Sequence, residues 1–479
     1  MKTIVLLTVA LLALTYFSSL ADSAGVQTTG STKTPIKHMI FIMMENHSFD
    51  NIFGVYPNHH NLTATIAGKQ ENLFLTNPQA QGLTQVPNGS YSSANPVEGY
   101  TAYHGDWNNG KMNQFLSYSG PASMHYFGQS QMALEWDLAS EFSIGATYFS
   151  STLSETVPNR LFSLAGYSPV KNDYGQPPYI PVDQTIFGEL DSYGISWGYY
   201  IKNPADGAYI LPFIQGISSH GSNVKSWNSL ISEAGNGTLP SVSWISPIGG
   251  GASGYSQHPP DNMLYGEQFL LYFIYKIMNS PEWNTTSIFI TYDEGGGFYD
   301  SVAPPVVAGN QLGFRVPFIV ISPFSKENYV STTIMSHTSM LDFIDYNWNL
   351  PPLNKLVAFS NIPIDMYDFT GSGSGTVRTP LDLSPISEYI PTNFSYPAIS
   401  PSGGISSDFP LPMQINTTLL AYSQTGSSHL NLSNKTDYFA SGDIPATPFY
   451  DSPYFLFFLL ITAISVPTAV ILKRSKIGK

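Results

Sequence analysis

Between about Thr34 and Ala358, short apolar runs alternate with amphipathic stretches, and this constrains the fold more than any other feature of the 479-residue chain. The run "KHMIFIMM" (Lys37 to Met44) reads as a strand buried on both faces. "TIFGELDSYG" followed by "ISWGYYI" reads as a helix, a turn and a strand. Further strands are expected over Val242 to Pro247, Ser287 to Tyr292 and Val316 to Pro323, with helices over Asp261 to Asn279 and His337 to Trp348. Strands that alternate with helices predict an α/β sheet, mostly parallel, because parallel neighbours need a crossover that a helix supplies.

Composition narrows the chemistry. Charged residues are only 11% of the chain and the formal charge is −14, which argues against a general nucleic-acid surface. There is no cysteine, so disulfides, thiolate metal sites and a cysteine nucleophile are all excluded. Few lysines and arginines limit self-repulsion once carboxylates are protonated, which suits an acidic setting.

The two ends carry their own signals. Residues 1–24 combine a basic start, an apolar stretch and small residues, the pattern of a secretory signal; a retained membrane anchor is the alternative. Tyr454 to Leu472 contains no charge and is followed by the basic residues Lys473, Arg474 and Lys476 in a tail over 473–479. A helix of that length rises roughly 28 Å, about the thickness of a bilayer core. One transmembrane helix is therefore expected, with the basic tail inside the cell and the catalytic domain outside. Residues 371–452, rich in Ser, Pro, Gly and Thr, read as a stalk or a small β module. Nine Asn-x-Ser/Thr triplets, at Asn46, Asn61, Asn88, Asn236, Asn284, Asn393, Asn416, Asn431 and Asn434, fit an exported glycoprotein.

Polar groups gather where strands end. "MIFIMM" runs into Glu45-Asn46, "SIFITY" into Asp293-Glu294 and three glycines, and "VSWISP" into a glycine-rich loop that reaches His258. Ligands of open α/β sheets collect beyond the carboxyl ends of strands. Paired acids beside an amide offer hard oxygen donors for a divalent cation. A solvent-facing loop is the better reading of any one of these ends alone; three in one chain point to a site.

The motifs "IKHMIFIMMENHSFDNIFG", "HGDWNNGKMNQF", "SETVPNRLFSLAG", "SWISP…QHPPDN" and "TYDEGGGFYDSVAPP" occur in the order seen in the phosphoesterase family, and "SHTSMLDFID" continues the likeness. The chain resembles this family, which contains bacterial phospholipases C and related acid phosphatases within the alkaline phosphatase superfamily. The resemblance covers about residues 34–360. It implies a three-layer α/β/α alkaline-phosphatase-like fold, with a catalytic domain over 34–370, and one divalent metal ion held by Glu45, Asn46, Thr156, Asp293 and Glu294. Thr156 would be the nucleophile, with Ser154 as the fallback. His104 and His258 would hold the phosphate or serve the leaving group, and His337 would either touch substrate or cap a helix. Asn46 is then an improbable glycan site, since a glycan would fill the centre. Relatives commonly carry Arg at His47, Asp at Asn113, His or Asn at Gly295 and Asp at Ser336, and these departures surround the centre rather than remove its ligands. His220 lies in no motif and reads as structural.

The chemistry is coherent on its own terms. A threonine hydroxyl is a weak nucleophile until a cation stabilises its alkoxide. In-line attack at phosphorus would give a phospho-threonine, which water then cleaves. The expected protein is an exported, membrane-tethered hydrolase of phosphoric esters, acid phosphatase slightly ahead of phospholipase C. The rival from another class is a non-catalytic surface or adhesion protein that keeps the fold.

Overall fold

Strand β1 (His38–Met44) and strand β6 (Thr286–Tyr292) form the centre of the molecule, and every residue of β6 is buried. Both are apolar without alternation, because helices cover the two faces of the sheet they share. The remaining strands are β2 (Ser143–Gly145), β3 (Trp197–Ile201), β4 (Val224–Ser226), β5 (Val242–Ile245), β7 (Phe318–Ile321) and β8 (Tyr329–Ser331). Their order is β4-β3-β5-β1-β6-β7-β2-β8, and all run parallel except β7, which is antiparallel to both neighbours. This is a computed structural model that describes residues 31–370 other than 88, 174–179, 203, 205–209 and 248–253. The expected signal (1–24), stalk (371–452), span (454–472) and basic tail (473–479) lie outside the described residues, as do the triplets at Asn88, Asn393, Asn416, Asn431 and Asn434. Among the described residues no helix is long and apolar enough to cross a membrane.

Six helices matter for the site: α1 (Tyr100–Trp107), α2 (Ala133–Glu141), α3 (Thr156–Ala165), α4 (Trp227–Asn236), α5 (Met263–Met278) and α6 (His337–Trp348). Helices α3 and α6 pack on each other, while α2 and α4 both pack on α5. Alternate side chains of β6 separate the two groups. Thr291 points toward Arg160 of α3 and Met340 of α6, whereas the next residue, Tyr292, donates its hydroxyl to Glu135 of α2. The sheet is thus sandwiched between helices, as the resemblance implies. This sheet and its helices belong to one compact unit; of a second unit only the turn Ala67–Lys69 is among the described residues.

The α3/α6 layer also holds a carboxyl pair. Glu189, on the short helix Ile186–Ser192, meets Asp345 of α6. Burial, followed by the Glu189 charge, raises Asp345 to about 9, and burial raises Glu189 to about 7. Both folded values lie above the unfolded ones, so the pair favours the fold in acid and loses that contribution as pH rises through the folded values. The urea midpoint should therefore fall between pH 5 and 9. Asp345→Asn should flatten that fall by on the order of 2 kcal/mol, and parallel profiles for the two proteins would refute this.

Candidate active site

Register brings the acids together. Met44 stands opposite Tyr292 in the parallel β1–β6 pair, so the next residues, Glu45 and Asp293, leave the sheet level with each other. The Asp293 amide donates to Met44 O at 3.1 Å, one last rung of the ladder. The loop after β5 returns to the same point, where the Glu45 amide donates to Ser256 O at 2.9 Å. All three polar strand ends recognised in the sequence therefore meet.

Backbone geometry then packs them closely. Asn46 sits in the left-handed region at φ 64, a conformation asparagine tolerates better than most residues. Its amide and that of Glu294 both donate to Asp293 Oδ1, at 3.3 and 2.9 Å. Gly296, at φ +63, passes so close that a Cβ there would lie 2.0 Å from Asn46 O. Only glycine fits. Glu294 is fixed through Oε2, which accepts from the Tyr103 hydroxyl at 2.7 Å and from the Gly296 amide at 2.6 Å.

Helix α3 delivers the hydroxyl. Thr156 is its first residue and 5% exposed, and among the described residues its hydroxyl makes no hydrogen bond. Ser154, by contrast, donates its hydroxyl to Lys171 O. Four residues beyond Thr156, on the same helical face and about 5–6 Å away between Cβ atoms, stands Arg160. Its Nε donates to Asp293 Oδ2 at 2.9 Å, and its Nη2 lies 3.8 Å from Glu45 Oε1 and 3.3 Å from both Met43 O and Met44 O. The guanidinium therefore ties the helix that carries Thr156 to the paired acids.

Negative charge exceeds positive here. Burial is the main cause that raises Glu45 to about 7; Arg160 opposes it and Asp293 adds to it. Burial also pushes Glu294 well above the carboxylate range, helped by the charges of Glu98 and Asp293. The buried Asn46 Oδ1 and Glu294 Oε1 have no hydrogen-bond partner among the described residues. Unpaired hard oxygens in an acid-rich pocket are the donors a divalent cation takes, and the residues fit one on that count. Among the described residues no three His, Cys, Asp or Glu side chains already stand at the spacing of a metal site, and Arg160 occupies Asp293 Oδ2.

The histidines divide. His258 lies at the rim: its Nδ1 donates to Pro259 O at 2.8 Å, and its Nε2 is 3.8 Å from Glu98 Oε2. The charges of Glu45 and Asp293 reach it. His104, on α1, donates from Nδ1 to Tyr100 O at 2.7 Å, and its ring lies tilted against Tyr100 and edge-on to Trp107, all contacts inside its own helix. His337 is fully buried at the start of α6; its Nε2 donates to Asp293 O at 2.7 Å and its Nδ1 accepts from the Tyr148 hydroxyl at 3.2 Å. That ring is closed to solvent and holds the Asp293 backbone, while Ser336 and Ser339 form the cap. His220 pairs with Asp191 at 3.0 Å. Arg160, Tyr103 and Glu98 went unrecognised in the sequence; the one available signal was Arg160, a charge in the otherwise buried stretch "TVPNRL".

Comparison with known proteins agrees with these motifs. The model of the phosphoesterase family matches residues 36–351. The chain is 28% identical to a non-hemolytic phospholipase C of Burkholderia pseudomallei over 392 residues, 66% of this chain and 55% of that protein. It spans just over half the length of that relative. It is 27% identical to phospholipase C A of Mycobacterium tuberculosis, over 70% of this chain and 76% of that one. The solved phosphonate monoester hydrolase of Agrobacterium radiobacter aligns over 69% of this chain and 77% of its own, at 10% identity and a TM-score of 0.36.

Proposed function

Since this chain belongs to the phosphoesterase family, we propose that it hydrolyses phosphoric diesters in the manner of a phospholipase C, with Thr156 as nucleophile. The observation that carries the reading is the unengaged Thr156 hydroxyl, one helical turn from an arginine that grips both Glu45 and Asp293. Glu45, Asn46, Thr156, Asp293 and Glu294 would hold a divalent cation, which would supply the positive charge that stabilises an alkoxide and a phosphoryl oxygen. Arg160 keeps Glu45 and Asp293 in place through the reaction, and His337 keeps the Asp293 backbone in place. Thr156 Oγ1 attacks phosphorus as its proton passes to solvent, the bond from phosphorus to the ester oxygen breaks and the alcohol leaves. Water then cleaves the phospho-threonine to give the phosphomonoester and restore the Thr156 hydroxyl. His258, partly exposed at the rim beside Glu98, gives the leaving ester oxygen its proton in this reading. His104, partly exposed on α1, serves the phosphoryl oxygens of the incoming ester.

Charge favours the diester. Four carboxylates, one guanidinium and a divalent cation sum to a net charge of about −1, which repels a doubly charged monoester more than a singly charged diester. The names of the relatives point the same way. Low overall charge and the raised value of Glu45 favour a second reading, an acid phosphatase. The apolar stretches near the two ends of the sequence support a place outside the cell, tethered to its membrane.

The test compares p-nitrophenyl phosphate, its bis ester and phosphatidylcholine across pH 4–8, with chelated protein and with protein resupplied with Ca²⁺, Mg²⁺, Mn²⁺ or Zn²⁺. The diesters should turn over at least about tenfold faster than the monoester, and chelation should abolish turnover. Faster monoester cleavage in acid would establish the phosphatase instead. Inactivity on all three, with no metal uptake, would leave the non-catalytic surface protein.

A further inference from the structure

Glu98 stands among the residues of the site, yet neither motif nor strand end accounts for it. Its carboxylate faces the Asn46 carboxamide on one side and His258 Nε2, 3.8 Å from Oε2, on the other. Its charge reaches Glu294, Tyr103 and His258. Glu98 Oε1 is buried without a hydrogen-bond partner among the described residues, and Asn46, which it faces, is wholly buried with Oδ1 and Nδ2 both unpaired. With neither end of that carboxamide anchored, the charge of Glu98 beside it favours the orientation that turns the amide end toward Glu98 and the carbonyl end away from it.

The chain around Glu98 is wedged into this position. The Val97 amide donates to Ser119 O at 2.9 Å. A Cβ on Gly297 would lie 2.8 Å from Val97 O, so residues 96–98 press directly on the loop that follows Asp293-Glu294. Gly99, at φ +116, turns the chain into α1, and a Cβ there would meet Glu155 Oε1 at 2.9 Å, beside the proposed nucleophile. One short segment thus touches the metal-ligand loop and the start of α3. A salt bridge kept only for stability would not need both contacts.

We infer that Glu98 is a positioning residue of the reaction centre, whose carboxylate aims the Asn46 carboxamide inward and steadies the His258 ring at the rim. The inference rests on the phosphoesterase reading above, and its test separates the two. Glu98→Gln preserves shape and removes the charge; Glu98→Asp retains the charge on a shorter stem and serves if the first variant folds poorly. Melting temperature is followed while Ca²⁺, Mg²⁺, Mn²⁺ or Zn²⁺ is titrated into chelated protein, and hydrolysis of bis(p-nitrophenyl) phosphate is measured in parallel, in the wild-type and His258→Ala backgrounds.

Glu98→Gln should leave the metal-free melting temperature unchanged, weaken the metal response about 10- to 100-fold and lower kcat by a similar factor, with partial recovery in Glu98→Asp. In the His258→Ala background the further loss in kcat should shrink by at least about threefold, because the two side chains act together. A wild-type metal response and turnover within about twofold of wild type would overturn the role of Glu98. So would an equal loss of kcat in both backgrounds with an unaltered metal response. If the wild-type protein cleaves no ester but its metal response weakens in Glu98→Gln, the proposed function falls and the role of Glu98 stands. No metal response and no turnover in the wild-type protein would end both.

Discussion

Thr156→Ala is expected to lower kcat by a factor of about 10⁴ or more while the melting temperature stays near that of the wild-type protein. The two halves of this result have separate causes. Removing the oxygen that attacks phosphorus leaves no covalent route, so the loss falls on kcat rather than KM. Stability should scarcely change because the hydroxyl has no hydrogen-bond partner among the described residues, and its removal strands no buried group. The start of α3 keeps its own support, the Val157 amide donating to Asp173 Oδ1 at 2.8 Å. Thr156→Ser should restore much of the turnover. Mass spectrometry of acid-quenched wild-type enzyme should find phosphate on the peptide that contains Thr156 and none in the alanine variant. Full turnover by the alanine variant would remove Thr156 from the reaction and leave its burial as a packing fact.

The largest loss of stability should come from Arg315→Met. Arg315 is fully buried; its Nη2 donates to Asp50 Oδ1 and its Nε to Asp300 Oδ1, each at 2.9 Å, and its Nη1 reaches Leu73 O and Ala146 O. Burial pushes Asp300 up to about 7 even with Arg315 opposing it. Without the guanidinium, two carboxylates and two carbonyls would be left in a medium that cannot solvate them. The cost should be about 3–5 kcal/mol, a large share of ordinary domain stability. The shift in urea midpoint measures it, and a shift below about 1 kcal/mol would show that the acids find other partners. Adding Asp50→Asn and Asp300→Asn to the methionine variant should recover part of the loss, because neutral amides cost less to bury.

How much of this was legible beforehand follows from what each element needs. The five strands of four to seven residues could be read because burial on both faces writes a continuous run, and the helix at His337 begins and ends where expected. Strands β2, β4 and β8, three residues each, were missed; two of them, β4 and β8, are the sheet's edges, where so short a segment leaves no periodicity to read. The acid pairs Glu45-Asn46 and Asp293-Glu294 were visible because they directly follow strands. Arg160 and Glu98 were not, since their roles come from which helix faces which loop, and nothing local records that. The same applies to His337: the residue type was plain in the sequence, whereas its orientation toward Asp293 O is a product of how α6 docks.

The level pairing of β1 and β6 has a consequence for what evolution or an engineer can alter. Because Met44 faces Tyr292 rung for rung, the spacing between Glu45 and Asp293 is fixed by the ladder and is indifferent to the number of residues that intervene. Long insertions in the loops between the two strands, outside the strands and helices that pack against them, leave the acids where they are. A single residue added within either strand, or taken away, would send one acid to the opposite side of the sheet, out of reach of its mate.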